Sequence, residues 1–210
     1  MARVVKNAED RREEIIRAAR ELFESKDYDK STMQDIMEKL GIAKGTIYHY
    51  FQSKQALLEA VVEHIVDEEL EKKKELLNSS RVKNLSAIEK IKILVTEDKT
   101  DEENEQILKN LHHPENAEMH TKQLGRYIAK LAPLWAEIFS QGCIEGYFKT
   151  DYPLETAEFI LAGVQFLTDT GFYPWSESQI TRRMKAFTVL IETQLAAPAG
   201  SFAFLNEDQD

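Results

Sequence analysis

The stretch Leu40-Gly-Ile-Ala-Lys-Gly-Thr-Ile-Tyr-His-Tyr-Phe-Gln-Ser-Lys54 joins two short helical patterns through a break of three residues. Ahead of the break, Met33, Ile36, Met37 and Leu40 recur at the spacing of one helical face. Ser31 with Gln34 three residues on predicts a capping box at the start of this helix. Gly41 stands where a left-handed residue ends one. After the break, Ile47, Tyr50 and Phe51 share one side of a second short helix and pack back with Ile42. Lys44, Thr46, Tyr48 and His49 are left on the other side. Working outward, Ile15, Ile16, Ala19, Leu22 and Phe23 predict an amphipathic helix upstream, closed by the Lys26-Asp-Tyr-Asp-Lys30 loop. Downstream, Ser53 caps a long helix whose apolar stripe, from Leu57 and Leu58 onward, runs to about Leu77.

Two short helices joined by a turn containing glycine form a helix-turn-helix. In that arrangement the second helix enters the DNA major groove. The exposed residues have the chemistry this requires. Lys44 offers a cation, Thr46 a hydroxyl, and Tyr48 and His49 aromatic groups with polar tips. Gly45 costs a helix about 1 kcal/mol against alanine, which is reasonable where backbone must closely approach another surface. Lys54 is poorly matched to the dipole of the helix it opens, but beside free N–H groups it makes a phosphate site.

These residues resemble the DNA-binding signature of TetR-type (TetR/AcrR) transcriptional regulators. The likeness covers residues 9–69, with the helix-turn-helix at 32–51, and its core is Gly45-Thr-Ile-Tyr-His-Tyr-Phe-x-x-Lys54. The resemblance implies that Thr32 and Lys54 meet phosphates, as do Tyr48 or Tyr50, while Lys44, Thr46, Tyr48 and His49 face the groove beside Gly45. One departure is visible. Family members often carry Ser or Thr where this chain has Ala43, which forgoes an N-cap worth about 1 kcal/mol and one phosphate hydroxyl.

The chain has 210 residues, with 27 Lys and Arg against 37 Asp and Glu, a formal charge of −10. Taken as an average, that argues against a nucleic-acid binder. Residues 1–56, however, hold 11 basic against 10 acidic side chains, and residues 57–210 hold 16 against 27. The acidity belongs to the second part, and Arg3, Lys6, Arg11, Arg12, Lys44 and Lys54 can gather on the DNA side. A hydrophobic share of 42% and a charged share of 30% fit a soluble globular protein. The single cysteine, Cys143, excludes an internal disulfide and reads as a small buried hydrophobe. No apolar run approaches the roughly 18 residues a membrane helix needs, and Met1 to Asp10 lack a signal-peptide core. The expected location is the cytoplasm, with no membrane partner.

The whole chain reads as all-α: a three-helix DNA-binding unit at 1–56 and a larger helical effector-binding and dimerisation domain at 57–210. Helices are expected at 85–97, 101–111, 116–147, 154–172 and 177–196, with Pro133 kinking or dividing the third. Two stripes are dimer candidates: Ile160, Val164 and Leu167 on one helix, and Ile180, Met184, Phe187 and Ile191 on the next. Two-fold symmetry follows from the need for two recognition helices about one DNA turn apart. The family resemblance adds a four-helix interface between the last two major helices of each subunit. Met119, Tyr127, Trp135, Phe139 and Phe166 are the candidates for an effector pocket, with ordinary core packing as the plainer reading of each. His112, His113 and His120 lack a ligand-spaced pattern, so they read as solvated loop histidines and no metal or other cofactor is expected. The Phe202-Ala-Phe-Leu205 tail reads as either docked on its own domain or frayed.

The function these readings support is a homodimeric, ligand-responsive repressor. It binds a near-palindromic double-stranded operator and is released by an unidentified small molecule. A structural DNA-associated protein on the same fold, without an effector, is the alternative from another class. An enzyme using the helical half ranks third, since no glycine-rich phosphate loop or nucleophile motif occurs and the expectation is no enzymatic activity.

Overall fold

The computed structural model describes residues 7–97 and 102–205, and the described residues form α-helices, short 3-10 turns and loops, with no strand. Two compact units emerge, one within Met1–Glu68 and Thr100–Met119, the other within Glu69–Lys99 and His120–Asp210. Arg3 and Lys6, two of the basic residues assigned to the DNA side, lie outside the described residues.

The first unit is built from α1 (Ala8–Lys26), α2 (Met33–Leu40), α3 (Lys44–Tyr50), the first part of α4 (Lys54–Asn78), and α6 (Glu102–Leu108), which lies later in the chain. Asn7 caps α1, its Oδ1 accepting from the Asp10 amide at 2.8 Å. The start of α2 differs from expectation by one residue. The Ser31 hydroxyl donates to the Asp27 carbonyl at 2.6 Å and is buried, so the capping role passes to Thr32. Thr32 and Asp35 form the capping box in place of Ser31 and Gln34. Gly41 closes α2 at φ +61°, a left-handed conformation that suits glycine. Ile15, Ile16, Ile36, Ile47, Leu57 and Leu58 are almost wholly buried in one core, which Ile107 and Leu111 join. These two residues explain why the unit extends beyond residue 56 and takes in α6. Arg20 reinforces it, donating to Glu24 at 3.0 Å, Glu68 at 2.6 Å and the buried Asn104 at 2.9 Å. Burial works against its charge, but the Glu68 and Glu24 carboxylates outweigh that and raise its pKa.

The second unit contains the rest of α4, α5 (Ala87–Thr96), most of α7 (Ala117–Ile144), α8 (Pro153–Thr168), α9 (Glu177–Gln194) and the tail to Leu205. Its core gathers Ile91, Ala132, Ile138, Phe139, Phe148 and Ala157. α7 runs unbroken through Pro133 instead of being divided there. Pro133 is exposed, while Leu131, Ala132 and Leu134 on either side are buried and hold the backbone across the missing hydrogen bond. α7 ends at Ile144, three residues short of expectation, and Gly146 takes φ +75°. Gly142 is required by close approach, because a Cβ there would collide with the Phe148 ring. α8 also stops early, at Thr168, where Asp169 Oδ1 accepts from the Gly171 amide at 2.7 Å and turns the chain. Cys143 is half-buried rather than buried, its sulfur 3.9 Å from the Thr150 carbonyl. The tail docks: Phe202 is buried, stacks on Phe148 and donates its amide to Glu192 Oε1 at 3.2 Å.

Candidate functional site

Along α3 the inward side is fixed by Ile47 and, just beyond the helix, Phe51, both buried. Lys44, Gly45 and His49 are exposed, and Thr46, Tyr48 and Tyr50 are half-buried. Tyr48 and Tyr50 pack part of their rings against the core of the first unit, so neither is a free aromatic. The Lys44 ammonium lies 5.7 Å from the Tyr48 ring centroid, and the His49 and Tyr50 rings meet edge to face at 5.1 Å. Gly45 has no atom within 4 Å of the place a Cβ would take. Nothing within the fold therefore calls for glycine at this position. Ala43 caps α3 without a side-chain hydrogen bond, as its composition dictates.

Two residues read as phosphate contacts are engaged inside the protein. The Thr32 hydroxyl donates to Asp35 Oδ2 at 2.7 Å, and the Thr32 amide donates to the same oxygen at 2.8 Å. Lys26 donates to the other Asp35 oxygen at 2.7 Å. Lys26 and then Thr32 hold the Asp35 carboxyl down at about 2. Lys54 donates to the Tyr28 carbonyl at 2.9 Å and stands 4.1 Å over the Tyr28 ring. Burial, then the negative charges of Glu115 and Asp29, push the Tyr28 phenol up to about 12. Among the basic residues of α1, Arg11 pairs with Glu14 and Arg12 lies 5.4 Å over the Phe51 ring. Sequence reasoning missed the contacts of Lys54 with Tyr28 and of Arg12 with Phe51 because no helical period relates those residues.

The second unit has a partly open cavity of about 210 Å³ bounded by α5, α7, α8, α9 and the tail. Of the five effector-pocket candidates, Trp135 and Phe139 lie on its wall. Met119 is buried in the core of the first unit, Tyr127 is half-buried away from the cavity, and Phe166 is exposed against Phe172. Ile160, Val164, Met184, Phe187 and Ile191 line the cavity, while Leu167 and Ile180 are half-buried elsewhere. The outer sides of α8 and α9 expose Phe159, Phe166, Val189 and Leu190 instead. Simple stripes did not separate the two sides, because both carry apolar residues. His112 and His113 are exposed, but His120 is buried rather than in a solvated loop. Its Nε2 lies 2.9 Å from Asp169 Oδ2, and its ring stacks on Phe172.

Residues 15–61 match the family model described as bacterial regulatory proteins, tetR family, and residues 99–190 match a tetracyclin repressor-like C-terminal domain. The uncharacterized HTH-type transcriptional regulator YvdT of Bacillus subtilis is 42% identical over 28% of this chain and 30% of its own length. The match thus spans less than a third of that relative. The HTH-type transcriptional repressor KstR2 of Rhodococcus jostii is 22% identical over 90% of this chain and 92% of its own. A TetR-family transcriptional regulator from Pectobacterium atrosepticum has a similar fold, with a TM-score of 0.64 at 19% identity over 93% of this chain and 100% of that one.

Proposed function

The chain belongs to the TetR family of bacterial transcriptional regulators, and from that premise we propose how its own residues perform the work. It is a DNA-binding regulator acting as a repressor in the cytoplasm, and α3 is the helix that reads the operator. The single observation that carries this reading is the outer side of α3, where Lys44, Thr46, Tyr48 and His49 surround a Gly45 that no atom of the fold approaches. Lys44 and Thr46 supply donors to base edges or phosphates, Tyr48 and His49 supply flat polar-tipped groups, and Gly45 lets the backbone close on the duplex.

A second copy of the chain covers the outer sides of α8 and α9 through Phe159, Val189 and Leu190, which are 71%, 61% and 59% exposed. That pairing supplies the two-fold symmetry a near-palindromic operator requires. The cavity of the second unit holds a small-molecule effector. An effector that prefers the conformer with weaker operator affinity releases DNA by the ratio of its two affinities, no more. α4 is common to both units and carries that coupling.

Fluorescence anisotropy with duplexes from upstream of the gene tests the reading. Tyr48→Ala and Lys44→Ala each lower affinity at least tenfold while helix content stays unchanged. If both variants bind as the unaltered protein does, α3 is not the reading helix.

A further inference from the structure

We infer that Gln55 and Asn116 are positioning residues for DNA binding, acting through Lys54 at the start of α4. The inference rests on the reading of Lys54 as a phosphate contact. Lys54 and Gln55 are the first two residues of α4, so the place of the Lys54 ammonium depends on how this first turn is fixed. The turn is anchored on two sides, both within the first unit. On one side Lys54 itself donates to the Tyr28 carbonyl. On the other, Gln55 donates its Nε2 to the Glu115 carbonyl and to Asn116 Oδ1, each at 3.0 Å. Gln55 is an exposed residue that reaches a segment some sixty positions further along the chain.

The second anchor is held firmly. Asn116 closes the 3-10 turn Pro114–Asn116 and is 1% exposed. Its Nδ2 donates to the Asn110 carbonyl at 2.8 Å, so both ends of its amide are engaged. Asn110 is buried as well, and its Nδ2 donates to the Gln106 and Ile107 carbonyls at the end of α6, each at 3.1 Å. A hydrogen-bonded line therefore runs from the end of α6 through Asn110 and Asn116 to the start of α4. Buried amides are costly unless paired, and a paired network favours one arrangement over its neighbours. Ile107 and Leu111, buried in the same core, keep the segment in place. Burial and then the Glu115 charge raise the pKa of the Tyr28 phenol, which puts this segment close to the ring Lys54 stands over. Apolar residues would suffice to hide surface. The line ends instead on an exposed amide next to the phosphate-binding cation, where it fixes position. Without it the first turn of α4 pivots on Tyr28 alone.

A phosphate contact is independent of base sequence, so the test uses the full chain and a duplex of arbitrary sequence, about 30 base pairs long. Binding is followed by anisotropy at several KCl concentrations. Gln55→Met keeps the length and helix propensity of the side chain but has no N–H donor. It is expected to bind about fivefold more weakly and to lower the salt slope by about one, as Lys54→Ala does. In a Lys54→Ala background Gln55→Met should cost nothing further, because residues acting as one unit are not additive. Asn116→Ala, at a urea-free temperature where its helix content is native, should match Gln55→Met and add nothing to it. Gln55→Met is an exposed substitution and decides the matter even where Asn116→Ala does not fold. An unchanged salt slope in Gln55→Met, or an equal loss with and without Lys54, overturns the inference. If Lys54→Ala weakens binding while Gln55→Met does not, the positioning role alone falls. If Lys54→Ala binds as the unaltered protein does, the phosphate reading falls and the inference with it.

Discussion

The Lys54 ammonium rests on Tyr28, 2.9 Å from its carbonyl oxygen and 4.1 Å above its ring. A residue read as a free cation for DNA is thus also a fastener between the loop after α1 and the start of α4. One of its three N–H donors is used, and the other two remain for a phosphate. Lys54→Ala is therefore expected to act twice. Urea unfolding should report a loss of about 2 kcal/mol, from a charged hydrogen bond and a cation–π contact together. DNA titrations should show weaker binding for all sequences alike, with the salt slope reduced by about one.

Tyr28 itself makes stability depend on pH at the alkaline end. Its folded pKa, about 12, lies above the ordinary 10.0. Between those values the unfolded chain has released a proton that the folded chain still holds, so stability falls as pH rises through the window. Below pH 10 the contribution is fully present. Urea midpoints measured from pH 9 to 11 should decline less steeply in Tyr28→Phe than in the unaltered protein.

Thr32 spends both of its donors on Asp35 in the free protein. Its principal role is to start α2, so Thr32→Ala is expected to lower stability by about 1 kcal/mol. The salt slope of DNA binding should remain that of the unaltered protein. A slope reduced by about one would instead identify Thr32 as a phosphate contact.

Gly45→Ala separates folding from binding. The new methyl meets no atom within 4 Å, and alanine favours a helix over glycine by about 1 kcal/mol. The variant should unfold at higher urea and yet bind operator at least tenfold more weakly, because the methyl stands where the duplex approaches.

Much of this was legible in the sequence, and the reason differs by element. The first unit follows from local pattern: Ile36, Met37, Ile47 and Phe51 announce their burial by spacing, and Gly41 announces its turn by residue type. The one-residue shift of the α2 cap from Ser31 to Thr32 depends on the Ser31 hydroxyl reaching the Asp27 carbonyl, a turn geometry that spacing does not encode. In the second unit the helices were legible but their faces were not. α8 is apolar on two sides, so Ile160 on the cavity wall and the exposed Phe159 beside it look alike in sequence. Aromatic character did not single out Trp135 and Phe139 as wall residues, since Tyr127 and Phe166 share it and lie elsewhere. Ile91, Phe202 and Leu205 could not be singled out either, because only the packing of α5 and the tail brings them to the same space.

The measurement that tests the central claim most directly is selection of bound duplexes from a randomised DNA pool by the full chain. Sedimentation of the resulting complex then counts the subunits. The account predicts enrichment of a near-palindromic site whose half-sites lie about one helical turn, or a multiple of it, apart. It also predicts two copies of the chain on one site, or a multiple of two, and loss of the enrichment in Tyr48→Ala. A pool that stays unenriched, or an asymmetric site held by a single copy, would contradict it.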